Sequence, residues 1–211
     1  MNVDALIMAG GKGSRMGFDT IEKPMQMIGG KHVVERVVEA IRRSKYVNDI
    51  LVSVSSNTPK TEEFVRDVLG VDVICTTGID FMNDMHMGFE YLDEDYVLTC
   101  PSDLPLLKTH VVDEFIEYFR PEMQSAIAVV DKETVVGTGI TPSFTIDIDG
   151  QPWVLSGLCI SDRCKTLNGV YLEEHYLKTD WVELAINVNT QHELALSRGY
   201  FDQSAGLPED L

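Results

Sequence analysis

A glycine-rich segment near the amino terminus holds the residues best suited to chemistry. Residues 6–17 are Leu-Ile-Met-Ala-Gly-Gly-Lys-Gly-Ser-Arg-Met-Gly, and they overlap a short apolar run at 5–8. Glycines that follow a buried strand let backbone N–H groups approach phosphate oxygens with no side chain between them. Lys12 and Arg15 lie in the segment, and Lys23 follows in Glu-Lys-Pro. Because lysine and arginine bind phosphate, this pattern predicts a loop that holds a nucleotide triphosphate.

Two better-known phosphate-binding motifs do not match this segment. The P-loop motif, Gly-x-x-x-x-Gly-Lys-Ser/Thr, fails because Gly11-Lys12 is followed by Gly13. The dinucleotide motif, Gly-x-Gly-x-x-Gly, fails because Met16 occupies its third glycine position. The acidic residue that this motif needs after the second strand is also missing, since residues 54–57 are Val-Ser-Ser-Asn. These mismatches exclude a P-loop ATPase and a nicotinamide oxidoreductase.

The overall charge of the chain is strongly acidic. Its 211 residues include 17 Lys and Arg against 34 Asp and Glu, a formal net charge of −17 at pH 7. Such a surface repels phosphate backbones, so we expect no nucleic-acid partner, and three cations around one loop are unusual in this background. No stretch approaches the ~20 apolar residues of a membrane span, and the start resembles no signal peptide. The four cysteines form no Cys-x-x-Cys pair, which favours reduced thiols and a cytoplasmic location.

Two further segments place polar residues after predicted strands. Asp103 lies in Cys-Pro-Ser-Asp-Leu-Pro, directly after the apolar run 96–99. A carboxylate at this end of a central parallel strand points into the ligand crevice of an α/β sheet, and its oxygens suit Mg²⁺. Asn189 follows the run 184–188 and is the weaker metal ligand. A structural role remains open for both, as a turn residue before Pro105 and as a helix cap respectively.

Alternating strands and helices must position these residues. The apolar runs that predict strands are 5–8, 50–54, 71–74, 96–99, 125–130 and 184–188. Amphipathic segments predict helices over 32–44, 58–69 and 82–92, and beginning at 109 and 190. This alternation predicts an α/β fold, a Rossmann-like three-layer sandwich whose mostly parallel central sheet carries helices on both faces. We predict a single domain over 1–201, with 132–183 as an inserted acceptor-side sub-structure, and a loose acidic tail at 202–211.

The glycine segment and Glu-Lys-Pro together resemble the signature of the nucleotidyltransferases with a glycosyltransferase-A-like fold, which include sugar-nucleotide pyrophosphorylases and molybdenum-cofactor guanylyltransferase. The resemblance implies the nucleotide-diphospho-sugar transferase type of fold, with catalytic roles for Arg15 at the outer phosphates, Lys23 near the α-phosphate and Asp103 at the metal. The residues that it implies for nucleotide binding are Leu6, Ala9, Gly10, Gly11, Lys12, Gly13, Ser14, Arg15, Lys23, Asn57, Thr58, Asp103, Gly157 and Asn189.

Within this superfamily the chain resembles the archaeal adenosylcobinamide-phosphate guanylyltransferases. The segments that carry the similarity are 1–13, 57–61, 102–104, 156–160 and 186–190. The similarity places Asn57 and Thr58 near the base and Gly157 beside the nucleotide or the acceptor. It implies that GMP passes from GTP to a phosphorylated corrinoid with Mg²⁺ as cofactor, and it allows a homodimer. Molybdopterin and a sugar phosphate remain open as acceptors, as does a GTP-binding regulator without catalysis.

Overall fold

A computed structural model of the chain describes residues 1–17 and 21–204, and its core is one large sheet. The strands are β1 (Val3–Met8), β2 (Met27–Ile28), β3 (Lys31–His32), β4 (Val47–Ser55), β5 (Asp72–Thr76), β6 (Tyr96–Pro101), β7 (Ser125–Asp131), β8 (Ile146–Ile148), β9 (Gln151–Asp162) and β10 (Glu174–Thr179). The α-helices are α1 (Val33–Arg42), α2 (Pro59–Asp67), α3 (Phe81–Glu90), α4 (Thr109–Tyr118), α5 (Lys132–Gly137), α6 (Arg163–Leu167), α7 (Val182–Ala185) and α8 (Gln191–Ser204). No helix in the described ranges is long and apolar enough to cross a membrane.

The sheet confirms the predicted α/β fold. Its strand order is β10-β7-β9-β6-β1-β4-β5, and β8 pairs with β9. The pairings β1–β4, β1–β6, β4–β5 and β7–β10 are parallel, whereas β9 runs antiparallel to β6, β7 and β8. The carboxyl ends of β1, β4, β5 and β6 therefore meet at one edge, which is where ligands bind in sheets of this type.

Helices cover both faces of the sheet because side chains alternate along each strand. Ala5 and Ile7 of β1 belong to the cluster that includes α1 and α4, whereas Leu6 packs with Met85 and Phe89 of α3 on the other face. A Cβ at Gly88 of α3 would lie 2.6 Å from Leu6 Cδ2, so glycine lets this helix approach closely. Leu6, predicted as a nucleotide-binding residue, is fully buried between β1 and α3.

The region 132–183, predicted as an inserted sub-structure, is built into the sheet. Its strand β9 lies between β6 and β7, and β10 forms an edge beyond β7. At the end of the described chain, α8 runs to Ser204, so the predicted tail begins inside a helix. The remainder of that tail, residues 205–211, lies outside the described residues.

Candidate active site

The glycine loop begins where β1 ends and crosses the end of β4. The Ala9 N–H donates to the Ser53 carbonyl at 2.7 Å, and Ser55 Oγ donates to the Gly10 carbonyl at 2.7 Å. A Cβ at position 10 would lie 3.2 Å from both Ser55 Cβ and the Val54 carbonyl carbon. Glycine at residue 10 therefore lets the loop lie close against the backbone of β4, where a larger side chain would be crowded.

The second half of the loop turns through Gly13, whose φ of 61° lies in the left-handed region. One 3₁₀ turn, Ser14–Met16, follows, and the Met16 N–H donates to the Gly13 carbonyl at 2.9 Å. Met16 is buried in a cluster that includes Val188 and Leu194. The adjacent Arg15 is exposed, so the turn is anchored by its methionine while its arginine is presented to the site.

Glu22, the residue before Lys23, hydrogen-bonds to the start of α2. Its carboxylate accepts hydrogen bonds from the N–H groups of Lys60 and Thr61 at 2.8 and 2.7 Å, and from the Thr61 hydroxyl at 2.6 Å. These are the first-turn groups of α2 that a helix leaves unsatisfied. Glu22 therefore caps α2 from a distant part of the chain and fixes the position of Lys23, which begins the 3₁₀ turn Lys23–Met25.

Thr58, which is predicted to lie near the base, contacts the end of β4 in the structure. It occupies the N-cap position of α2 without making a side-chain capping bond. Its buried hydroxyl instead accepts from the Ser55 N–H at 3.1 Å and donates to the Ser55 carbonyl at 3.4 Å. Thr58 therefore supports the end of β4, which in turn holds Gly10.

Four predicted side chains from distant parts of the chain meet at the carboxyl edge of the sheet. Lys23 Nζ lies 2.6 Å from Asp103 Oδ2 and 3.2 Å from Asn189 Oδ1. Arg15 Nη2 donates to the same Asn189 Oδ1 at 2.9 Å. The backbones are also joined, because the Val188 N–H donates to the Asp103 carbonyl at 2.9 Å. We call Arg15, Lys23, Asp103 and Asn189 the charge cluster.

The second oxygen of Asp103 has no hydrogen-bond partner within the described residues. Oδ1 is buried, whereas Oδ2 pairs with Lys23 in an ion pair whose side chains are only 18% and 10% exposed. An unpaired buried carboxylate oxygen is costly, so this atom is suited to a ligand that supplies positive charge or a donor. No group of three or more His, Cys, Asp or Glu in the described ranges could hold a metal by itself.

Cys100 is the thiol nearest in sequence to Asp103. Burial raises the pKa of the Cys100 thiol well above its ordinary value, and the Asp103 carboxylate raises it further. Because the thiolate is the nucleophilic form of cysteine, Cys100 is unsuited to attack a substrate. The four cysteines are free, as expected for reduced thiols.

Two cavities flank the charge cluster and share Lys23. The first, of about 260 Å³, is lined by Met8, Ala9, Gly10, Gly11, Lys23, Pro24, Ser53, Gly78, Ile79, Phe81, Asp84, Pro101, Ser102 and Asp103. The second, of about 320 Å³, is lined by Lys12, Gly13, Ser14, Met16, Gly17, Ile21, Glu22, Lys23 and Asn57. The predicted loop residues are thus divided between them: Ala9, Gly10 and Gly11 lie at the first, and Lys12, Gly13 and Ser14 at the second.

Asn57 and Gly157 lie on the walls of these cavities. Asn57 Nδ2 donates to Ser55 Oγ at 3.1 Å and lines the second cavity. Gly157 of β9 has a φ of 84°, and a Cβ there would lie 3.0 Å from Cγ of Pro101, which lines the first cavity. Glycine at 157 therefore lets β9 approach the end of β6 behind that cavity.

The sequence interpretation missed a group of residues that line the first cavity together with the glycine loop. They follow β5 and begin α3, and they include Gly78 and Asp84. Gly78 approaches so closely that a Cβ would lie 2.4 Å from Ser55 Oγ and 2.7 Å from Asn57 Nδ2. The signal available in the sequence was Thr-Thr-Gly at 76–78, a glycine that directly follows a strand.

Comparison with known proteins agrees with this fold. Residues 5–205 match the MobA-like NTP transferase domain. The chain belongs to this family, and its class is that of the nucleotidyltransferases. It is 33% identical over 205 residues to the adenosylcobinamide-phosphate guanylyltransferase of Methanocaldococcus jannaschii, covering 92% of this chain and 95% of the relative. It is 29% identical over 147 residues to a molybdenum cofactor guanylyltransferase of Shewanella baltica, covering 64% of this chain and 62% of that relative.

Solved structures share the fold at low sequence identity. CMP:2-keto-3-deoxy-manno-octonic acid synthetase in complex with CTP superimposes with a TM-score of 0.72 at 14% identity, covering 97% of this chain and 100% of the other. A nucleotidyl transferase from Methanothermobacter superimposes with a TM-score of 0.72 at 15% identity, covering 96% of this chain and 99% of the other.

Proposed function

We propose that the chain transfers GMP from GTP to adenosylcobinamide phosphate, giving adenosylcobinamide-GDP and pyrophosphate. The observation that carries the proposal is the charge cluster beside the glycine loop, where Lys23 and Arg15 converge on Asp103 and Asn189. The choice of acceptor rests on the 33% identity to the M. jannaschii enzyme, which extends over 95% of that relative.

The proposed reaction needs positioning and charge more than proton transfer. The acceptor is a phosphate that is already ionised near neutral pH, so its oxygen attacks the α-phosphorus of GTP without a general base. The pyrophosphate that leaves carries the developing charge. Lys23 and Arg15 are placed to offset this charge, and the glycine loop fixes the triphosphate for in-line displacement. This assignment is consistent with a site that lacks a reactive thiol at Cys100.

We also propose Mg²⁺ as the cofactor, held by Asp103 and, more weakly, by Asn189, whose Oδ1 would have to give up a hydrogen bond from Arg15 or Lys23 to bind the ion. The fit rests on Asp103 Oδ1, a buried oxygen without a hydrogen-bond partner in the described part of the chain. Two protein oxygens do not complete the shell of Mg²⁺, which commonly keeps waters and takes phosphate oxygens of its substrate. When bound, the ion would neutralise phosphate charge and help to orient the triphosphate.

Pyrophosphate release decides between the acceptors. The protein is incubated with GTP, Mg²⁺ and either adenosylcobinamide phosphate, molybdopterin or a sugar phosphate, and pyrophosphate is measured. Release with adenosylcobinamide phosphate alone supports the proposal. Release only with molybdopterin would instead favour the activity named for the S. baltica relative. GTP binding with no release for any acceptor would support a non-catalytic GTP-binding regulator. The cytoplasmic location and the homodimer stay predictions.

A further inference from the structure

Among the described residues that line the first cavity, Asp84 is the one charged side chain outside the charge cluster. Asp84 lies in the first turn of α3, is 5% exposed and lines the cavity together with Gly78. The other charged residues in the described lining of this cavity are Lys23 and Asp103, which pair with each other. Asp84 therefore places a carboxylate at the part of the cavity formed by the β5–α3 segment.

The contacts of Asp84 hold that segment in place. Oδ1 accepts from the Thr77 N–H at 2.9 Å and from the Thr77 hydroxyl at 2.6 Å, and Oδ2 accepts from the Gly78 N–H at 2.9 Å. A carboxylate offers about four acceptor positions, so Oδ2 keeps capacity for a further donor. The Thr77 hydroxyl can rotate, which would free a second position on Oδ1.

The rest of the cavity suits a nucleoside whose phosphates lie at the charge cluster. The glycine loop forms one wall and joins Lys23 and Asp103 to Ala9 and Gly10. Gly78 lies against Ser55, and Ser55 donates a hydrogen bond to the Gly10 carbonyl. The β5–α3 segment that contains Gly78 is therefore held directly against the glycine loop. A triphosphate bound by the loop would therefore direct its base toward Gly78 and Asp84.

We infer that Asp84 selects guanine by accepting hydrogen bonds from the N1–H and the exocyclic amine of the base. This inference rests on the proposed function, because it identifies how the same site chooses its donor nucleotide. Among the common bases, guanine alone presents two adjacent donors on its Watson–Crick edge, which match the two oxygens of a carboxylate. Adenine and cytosine place an acceptor beside their amine, and that lone pair would face the carboxylate. A site whose buried acceptors need hydrogen-bond donors from the base binds poorly any base that lacks those donors.

The test measures nucleotide binding without an acceptor, by calorimetric titration of wild type and Asp84→Asn. Asparagine keeps one acceptor and replaces the other by an N–H₂ donor, which matches xanthine, whose C2 carries a carbonyl in place of the amine. We expect Asp84→Asn to bind GTP about 100-fold more weakly than wild type and to bind xanthosine triphosphate more tightly than GTP. The control is Asp80→Asn, because Asp80 caps α3 through the N–H groups of Met82 and Asn83 without lining the cavity; it should retain the GTP preference.

An anchoring role alone for Asp84 gives a different result. In that case Asp84→Asn weakens GTP and xanthosine triphosphate by the same factor, and this result would overturn the inference. Wild type provides a test that needs no substitution: inosine triphosphate lacks the amine and N1-methylguanosine triphosphate lacks the N1–H, and each should bind about 10-fold more weakly than GTP or worse. Equal affinity for all three contradicts the inference. A wild type that selects GTP in this way but releases no pyrophosphate with adenosylcobinamide phosphate contradicts only the proposed function.

Discussion

The two sides of the site are built differently. On the donor side, the charge cluster joins residues from four separate parts of the chain through side-chain bonds of 2.6 to 3.2 Å. The region 132–183, which is proposed to form the acceptor side, joins the sheet through backbone pairing of β8, β9 and β10. It exposes apolar side chains, with Val136 at 52%, Phe144 at 67% and Leu155 at 42%.

This difference follows from what each side must hold. A triphosphate needs fixed charges and backbone N–H groups, and these depend on a few residue types at strand ends. A bulky acceptor that already carries its reactive phosphate needs surface and shape, which many side chains can supply. Substitutions on the donor side should therefore change turnover, and substitutions on the acceptor side should change the acceptor KM.

The largest effect is expected at Asp103. Replacement by Ala leaves Lys23 without its 2.6 Å partner and removes the buried oxygen proposed for Mg²⁺. We expect kcat to fall about 10³-fold with little change in the acceptor KM, measured as pyrophosphate release over a series of Mg²⁺ concentrations. Asp72→Ala is the control, because Asp72 is exposed at the amino end of β5, away from the carboxyl ends of the strands where the site lies. Normal Mg²⁺-dependent turnover of Asp103→Ala would refute the donor-side assignment.

A smaller effect is expected at Glu22, which acts on the site through α2. Glu22→Ala removes three hydrogen bonds to Lys60 and Thr61, so we expect a loss of about 2 kcal/mol in the free energy of unfolding. Because Lys23 is the next residue, kcat/KM should also fall about 10-fold. Chemical denaturation and initial rates measure the two effects. Thr61→Val removes only the hydroxyl bond to Glu22, so it should reduce the free energy of unfolding and kcat/KM by a smaller amount. Full activity in Glu22→Ala would show that Lys23 is positioned without the hydrogen bonds of Glu22 to α2.

Asp103 could be predicted from sequence because it follows the strand β6 closely, whereas Lys23 was found through the Glu-Lys-Pro motif and Asn189 through the apolar run 184–188. Parallel strands bring their carboxyl ends to one edge, which accounts for Asp103. The prediction of a strand over 184–188 was wrong, because these residues form the end of α7 and the loop that follows it. Asp84 was missed because its place in the cavity depends on how α3 docks against Leu6, which local periodicity does not contain. For the same reason the sequence did not reveal that β9 enters the sheet between β6 and β7. Antiparallel pairing over such distances in sequence leaves no local pattern to read.

On the acceptor side, Leu155 offers a direct test of the comparison. It lies on β9 two residues before Gly157, pairs with Val129 of β7 and is 42% exposed. If the acceptor contacts this surface, Leu155→Ala removes roughly 1 kcal/mol of apolar contact, so the KM for adenosylcobinamide phosphate should rise about five-fold while GTP affinity is unchanged. Val170→Ala is the control. Val170 is similarly exposed, at 48%, but it lies before the amino end of β10, away from the carboxyl ends of the strands. A fall in GTP affinity in Leu155→Ala would break the proposed separation of the two sides.

The smallest effect is expected at Cys100, which lies on the donor side but is given no chemical role. Cys100→Ala should keep turnover within about two-fold of wild type, because a buried thiol with a raised pKa does not supply a thiolate. Native protein at pH 8 should show no reaction of Cys100 with a thiol reagent, whereas the exposed Cys75 and Cys164 react. The comparison is with unfolded protein, in which all four thiols are accessible. A large loss of turnover in a Cys100→Ala variant with normal stability would mean that the donor side uses a group beyond fixed charges and backbone N–H groups.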